Sequence, residues 1–191
     1  MTDMTQYSLA VKSYAERGED YLFHNEGNEH ALIILSNIFA NAKSHIRIAA
    51  NMLYNDEVVN TEEYVGKLKS FLDKSDTRLS IIVSKVPDIS DVRSRSRKGT
   101  LYWMLYNHPA YRQNRVVIKD ACGKAFHDEK NNIVNFCTGD TSMYRLEEDI
   151  QIRKAIANFG DEKHTKQLID AFENALVGLK DVNLAEYYPA N

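Results

Sequence analysis

Residues 133–161, IVNFCTGDTSMYRLEEDIQIRKAIANFGD, constrain the fold more than any other part of the chain. They read as strand, tight turn, strand and strand, with Gly139-Asp140-Thr141-Ser142 supplying the turn chemistry. Gly160-Asp161 then opens an amphipathic helix whose apolar stripe is Leu168, Ile169, Phe172 and Leu176. Such a layer buries one face on its own helix and needs the rest of the chain to complete it.

The upstream sequence supplies that completion. Residues 5–17 carry Tyr7, Leu9, Ala10, Val11 and Tyr14 as a helical stripe stopped by Gly18. Ala31, Leu32, Ile34, Leu35, Ile38, Phe39 and Ala42 follow the helical period behind turn and cap residues at Asn25 to Asn28, which predicts a mostly buried helix. Ile46, Ile48, Ala49 and Ala50 then form a small-residue strand suited to the middle of a sheet. Asn60-Thr61-Glu62-Glu63 starts a helix with Tyr64, Val65, Leu68, Phe71 and Leu72 on one face, and RLSIIVSKV, 78–86, is the next strand. Strand, helix and strand joined by short polar turns predict a right-handed crossover and a parallel pair. The expected class is therefore α/β, with a mixed, largely parallel sheet flanked by helices.

Residues 87–97, PDISDVRSRSR, read as a loop whose arginines are either solvated or form a phosphate-contacting arm. LYWMLYN, 101–107, is a helix ended by His108-Pro109, and strands are expected at 115–119 and 124–127. The tail is polar, with Tyr187-Tyr188 expected to be exposed.

At 191 residues the chain fits one domain, and a formal charge of −3 provides no global field for nucleic acid. The first twenty residues lack the basic start and unbroken apolar core of a signal peptide, and no apolar run is long enough for a membrane span, so the expected location is cytoplasmic. Cys122 and Cys137 stand beside strand sequence without a second pair, which predicts buried free thiols, no metal and no cofactor.

The order of elements, the stretch ANAKSHIRIAANML and the ending AIANFGDEKHTKQLIDAFENAL together resemble one unit of the phospholipase D-like superfamily over most of residues 25–178. The resemblance implies a leading helix at 1–24, the domain at 25–178 and a tail at 179–191. Active members of that superfamily carry histidine, any residue, lysine, four residues and aspartate. The imidazole attacks phosphorus and the lysine neutralises its oxygens, and two units meet to make one site. The aligned strand here puts Asn135 where histidine would stand and Cys137 where lysine would stand, and it ends at Asp140 before Tyr144, Arg145 and Glu147. The rival register, through Lys124-Ala125-Phe126-His127, leaves Glu129 at the lysine position. His164-Thr165-Lys166 with Asp170 nearly spells the motif, yet it lies in helical sequence, where residues two apart diverge. The resemblance thus implies a degenerate unit: a homodimer with a residual phosphate site and a nucleotide, nucleic-acid or protein partner, accessory to nucleic-acid metabolism or defence in bacteria.

Arg145 and Glu147, two apart on a strand, share a face. They form either an ion pair satisfying charge at a sheet edge or an anion site in which Arg145 grips a phosphate and Glu147 orients it. Asn135 and Asp140 join them as candidate ligand residues, with Asp140 expected to cap its own hairpin turn. His127, with Glu129 or Glu147, is the candidate for catalysis if the chain is instead a phosphodiesterase or nuclease; the position of His127 and Glu129 on a turn favours plain exposure over that role. His24, His45 and His108 read as local hydrogen-bonding residues.

Overall fold

A computed structural model describes residues 2–54, 57–90 and 99–188. The basic run of the expected arm, 93–97, lies outside the described residues. In chain order the elements are α1 (Thr2–Arg17), β1 (Phe23–Asn25), α2 (Gly27–Asn41), β2 (His45–Ala50), α3 (Glu62–Leu72), β3 (Arg78–Val83), α4 (Leu101–Asn107) and α5 (Pro109–Arg112). There follow β4 (Val116–Asp120), β5 (Phe126–His127), β6 (Ile133–Gly139), β7 (Met143–Asp149), β8 (Lys154–Asn158), α6 (Glu162–Leu176) and β9 (Lys180–Asp181), then a single 3-10 turn at Leu184–Glu186.

Nine strands form one sheet in the order β1-β8-β7-β6-β2-β3-β4-β9, with β5 also paired to β6. The α/β class and the helix-flanked mixed sheet stand as expected, but the emphasis on parallel pairing needs correction. Only β2–β3 and β3–β4 are parallel; the other pairings are antiparallel. The reason is connectivity. Short turns between β6, β7 and β8 permit only hairpins, whereas a parallel neighbour needs a long crossover such as α3.

Both ends of the helices follow local chemistry. Thr61 caps α3 by accepting from the Tyr64 N–H at 3.2 Å, and Asp161 caps α6 by accepting from the His164 N–H at 3.0 Å. His108 ends α4 and starts α5, its Nδ1 accepting from the Ala110 N–H at 3.1 Å while Nε2 meets Asp73 Oδ1 at 3.1 Å.

Alternation along the strands divides the core into two layers. Ile46, Ile48, Leu79, Ile81 and Cys137 face α2, α3 and α4, while α1 packs on α2. Ala49, Ile82 and Phe136 face the other way, onto Phe172 of α6. Gly139 lets α2 close onto β6: a Cβ there would stand 2.8 Å from Ile38 Cγ2.

Two expectations fail at the surface. Tyr187 is only 5% exposed; it stacks on Tyr102 with centroids 6.3 Å apart and donates its hydroxyl to the Pro87 carbonyl at 3.2 Å. The tail turns inward because Leu184 buries beside it, with its N–H held by the Tyr111 hydroxyl at 3.0 Å. Cys122 is exposed, on a left-handed turn residue (φ 51) beyond β4, whereas Cys137 is buried as expected.

Gly160 provides the sharpest packing test. A Cβ there would stand 2.5 Å from the Asp20 nitrogen and 2.5 Å from the Gly18 oxygen, backbone atoms that cannot rotate away. Gly160→Ala is expected to lower stability by about 1–3 kcal/mol, the usual cost of overpacking, read as a lower urea midpoint at unchanged slope.

Candidate functional site, a buried arginine and glutamate beside a small cavity

The hairpin register builds the site. Asn135 on β6 stands opposite Glu147 on β7, and Cys137 stands opposite Arg145, so all four side chains share the face toward α2. Across the next strand Arg145 and Glu147 face Ala157 and Ala155. These small residues leave room over β8 for Asn25, which pairs with Ala155 from β1.

Arg145 is 5% exposed and Glu147 2% exposed. The guanidinium donates from Nε to Asn25 Oδ1 at 3.2 Å, from Nη1 to Glu147 Oε1 at 3.3 Å and from Nη2 to the Arg153 carbonyl at 3.2 Å. Asn135 Nδ2 donates to Glu147 Oε2 at 2.6 Å, and Asn135 Oδ1 accepts from the Asn51 N–H at 2.7 Å. Burial lowers the Arg145 guanidinium from its ordinary value, and the neighbouring Glu147 carboxylate works against that shift. A second guanidinium approaches from the β7–β8 turn: Arg153, at φ 55, places Nη1 3.8 Å from Glu147 Oε1.

Beside this network lies a cavity of about 60 Å³, walled by Leu35, Ile48, Leu53, Val58 and Tyr64 and bordered by Asn135, Arg145, Glu147 and Arg153. Cys137 also borders it; burial pushes its thiol up to about 12, so it is neither thiolate nor a stand-in for an ammonium. Among the described residues no group of three or more His, Cys, Asp or Glu is placed to hold a metal.

The structure thus brings Asn135, Arg145 and Glu147 together and leaves the other candidates apart. The pair is not at a sheet edge, since β7 runs between β6 and β8. Asp140 does not cap its own turn. Its carboxylate accepts from the N–H groups of Lys43 and Ser44 at 2.8 Å and of His45 at 3.0 Å, tying the hairpin to the α2–β2 connection. Burial acts to raise this carboxyl, but the hydrogen bonds from His45, Lys43 and Ser44 outweigh it and hold it below its ordinary value. His127, opposite Ile133 on β5, is exposed, as is Glu129. Lys166 and Asp170 pair with each other along α6, as helical spacing requires. Asn25 and Arg153 carry roles that no local pattern announced. The one available signal was the charged pair at Arg145 and Glu147 on one face of a strand inside the hairpin.

The opposite sheet face holds a separate polar group, in which His45 Nε2 lies 2.9 Å from Ser80 Oγ and Arg47 Nε donates to Glu173 Oε1 at 2.6 Å.

No family profile matches the sequence, and no curated protein matches it. Solved structures do match by shape, and the class they define is the phospholipase D-like fold. The chain is similar to Nuc of Salmonella typhimurium, a phospholipase D family member, with TM-score 0.53 and 9% identity over 86% of this chain and 99% of that one. It is also similar to phosphatidylserine synthase of Haemophilus influenzae Rd KW20, with TM-score 0.53 and 11% identity over 89% of this chain and 41% of that one. A third likeness is to TrmBL2, an archaeal chromatin protein with a novel mode of DNA binding: TM-score 0.60, 11% identity, 93% of this chain and 62% of that one. This chain therefore spans less than two-thirds of TrmBL2 and of the synthase, and nearly all of Nuc. No helix among the described residues is long and apolar enough to cross a membrane.

Two outcomes follow from the geometry. Glu147→Leu strands a buried cation and is expected to cost roughly 3–5 kcal/mol, whereas Arg145→Met with Glu147→Leu should recover most of the loss; chemical denaturation of both variants checks this. His45 is held down to about 4, first by burial and then by the nearby Arg47, with Arg78 acting the same way and Glu173 and Asp140 opposing. The unfolded chain binds that proton first, so stability should fall as pH drops from about 6.5 toward 4. His45→Asn should flatten that window in a pH series of urea midpoints.

Proposed function

We propose that this chain is a non-catalytic phospholipase D-like binding or scaffolding protein whose ligand site is the cavity bordered by Asn135, Arg145, Glu147 and Arg153. The observation that carries the reading is the state of Asn135. In the register that aligns β6 with the superfamily motif it replaces the attacking imidazole, and both ends of its amide are already engaged, by Glu147 and by the Asn51 N–H. Cys137, at the position of the lysine, is a neutral buried thiol and has no charge to offer a phosphoryl oxygen. What the cluster retains is net positive charge, two guanidinium groups against one carboxylate, beside an apolar cavity.

In this reading residues 25–178 form the binding unit, flanked by 1–24 and 179–191, and the chain works in the cytoplasm as a homodimer, the pairing implied by the superfamily resemblance. A nucleotide, a nucleic-acid end or another protein is the partner. DNA binding is a property of TrmBL2; here the formal charge of −3 offers no general attraction to a polyanion, which favours a local anion contact. The alternative of a phosphodiesterase using His127 with Glu129 or Glu147 is disfavoured, because His127 is exposed and Glu147 is buried.

The test pairs an activity assay with a binding assay. Purified protein is expected to hydrolyse a generic phosphodiester and single-stranded DNA at background rate, unchanged by His127→Ala. Small anions should raise its melting temperature saturably over matched chloride, as selective binding to the native state requires. Turnover abolished by His127→Ala, or a covalent phosphoryl adduct on any side chain, would overturn the reading.

A further inference from the structure

We propose that the ligand of this cavity is a singly charged anion on an apolar body, a short-chain carboxylate, and that Arg153 rather than Arg145 grips it. The proposal rests on the reading of the cavity as an anion site, and within that reading it sets a carboxylate in the cavity in place of a nucleotide or nucleic-acid end.

Arg145 is the obvious cation and the wrong one. Three of its five N–H groups already donate to protein acceptors, Asn25, Glu147 and the Arg153 carbonyl, and the residue is only 5% exposed. A ligand competing for those three bonds would have to dismantle the network that compensates Glu147, itself only 2% exposed. Arg153 differs. Among the described residues its side chain makes one charge contact, Nη1 at 3.8 Å from Glu147 Oε1, beyond hydrogen-bond distance, and its five N–H groups donate to no acceptor there. Its side chain is 25% exposed, which puts the guanidinium at the boundary between cavity and solvent. The backbone beneath is held, since the Arg153 carbonyl accepts from Arg145 Nη2. An anchored cation with unused donors is what a ligand can engage without cost to the fold.

Local charge sets the valence. Among the described residues lining the cavity, Arg145 and Arg153 against Glu147 leave one positive charge, which one negative charge neutralises. A dianion would leave surplus negative charge beside Glu147 against apolar walls, where desolvation is expensive. Lining chemistry sets the body. Leu35, Leu53 and Val58 carry no side-chain donors or acceptors, Met52 lies 51% exposed, and the amide of Asn135 already holds one partner at each end. A sugar or nucleoside would find few polar partners. The cavity, about 60 Å³ and open on one side, has room for a small carboxylate group while an alkyl chain lies along Met52 and Leu35.

Titration calorimetry on the whole protein, at constant ionic strength, with sodium hexanoate, inorganic phosphate and hexylammonium chloride tests this. Hexanoate is expected to bind at least tenfold tighter than phosphate, and hexylammonium not at all. Arg153→Met should weaken hexanoate at least tenfold with circular dichroism unchanged, and Arg153→Lys should fall between that variant and the parent. Hexanoate binding untouched by Arg153→Met would overturn the proposal. Phosphate binding without hexanoate binding would also overturn it while leaving the anion site standing; binding of neither would sink both.

Discussion

A guanidinium and a carboxylate held inside a protein must satisfy each other and every remaining lone pair and proton, because neither can be returned to water. Arg145 and Glu147 impose that condition on the whole left half of this sheet. Their partners come from β1, β6 and the β7–β8 turn, so three separate segments must arrive in register before the charge is compensated. A one-residue slip of β7 would turn both groups to the face of α6, among Phe136 and Phe172, where none of these partners exists. The pair therefore specifies register as much as it adds stability, and the alanines at 155 and 157 provide the space it needs.

The arrangement also separates the two roles that the sequence left joined. An ion pair and an anion site were competing descriptions of the same two residues. The structure assigns the close ion pair to Arg145 and Glu147, and Arg153, more exposed and 3.8 Å from the same carboxylate, borders the cavity. A site of this kind is built on rigid strands at its base and on a turn at its rim. That combination suits a binding pocket, since the base keeps its shape while the rim residue adjusts.

Several features were legible beforehand because they depend on neighbours in sequence. The caps at Thr61 and Asp161 were of this kind, as were the helical stripes of α2 and α3 and the hairpin at Gly139-Asp140. His108 before Pro109 likewise acts through the residues next to it. Sheet direction was read correctly at β2 and β3, where a crossover helix dictates it, and overweighted elsewhere. Asp140 shows the same boundary: its place on a turn was local, but its acceptors' partners lie on the α2–β2 connection, nearly a hundred residues earlier.

By itself the sequence determined the longer helices, the principal strands and which strand face carries Arg145 and Glu147, because periodicity and capping are short-range properties; the short β1, read as turn and cap at Asn25, and β9 in the tail were not legible in it. Only the tertiary structure decided what those charges meet. Asn25, Asn51 and Arg153 reach them through strand order and a left-handed turn, and strand order is set by the burial of the two faces together. The inward turn of Tyr187 and the exposure of Cys122 were decided the same way, by whether another segment happened to cover them.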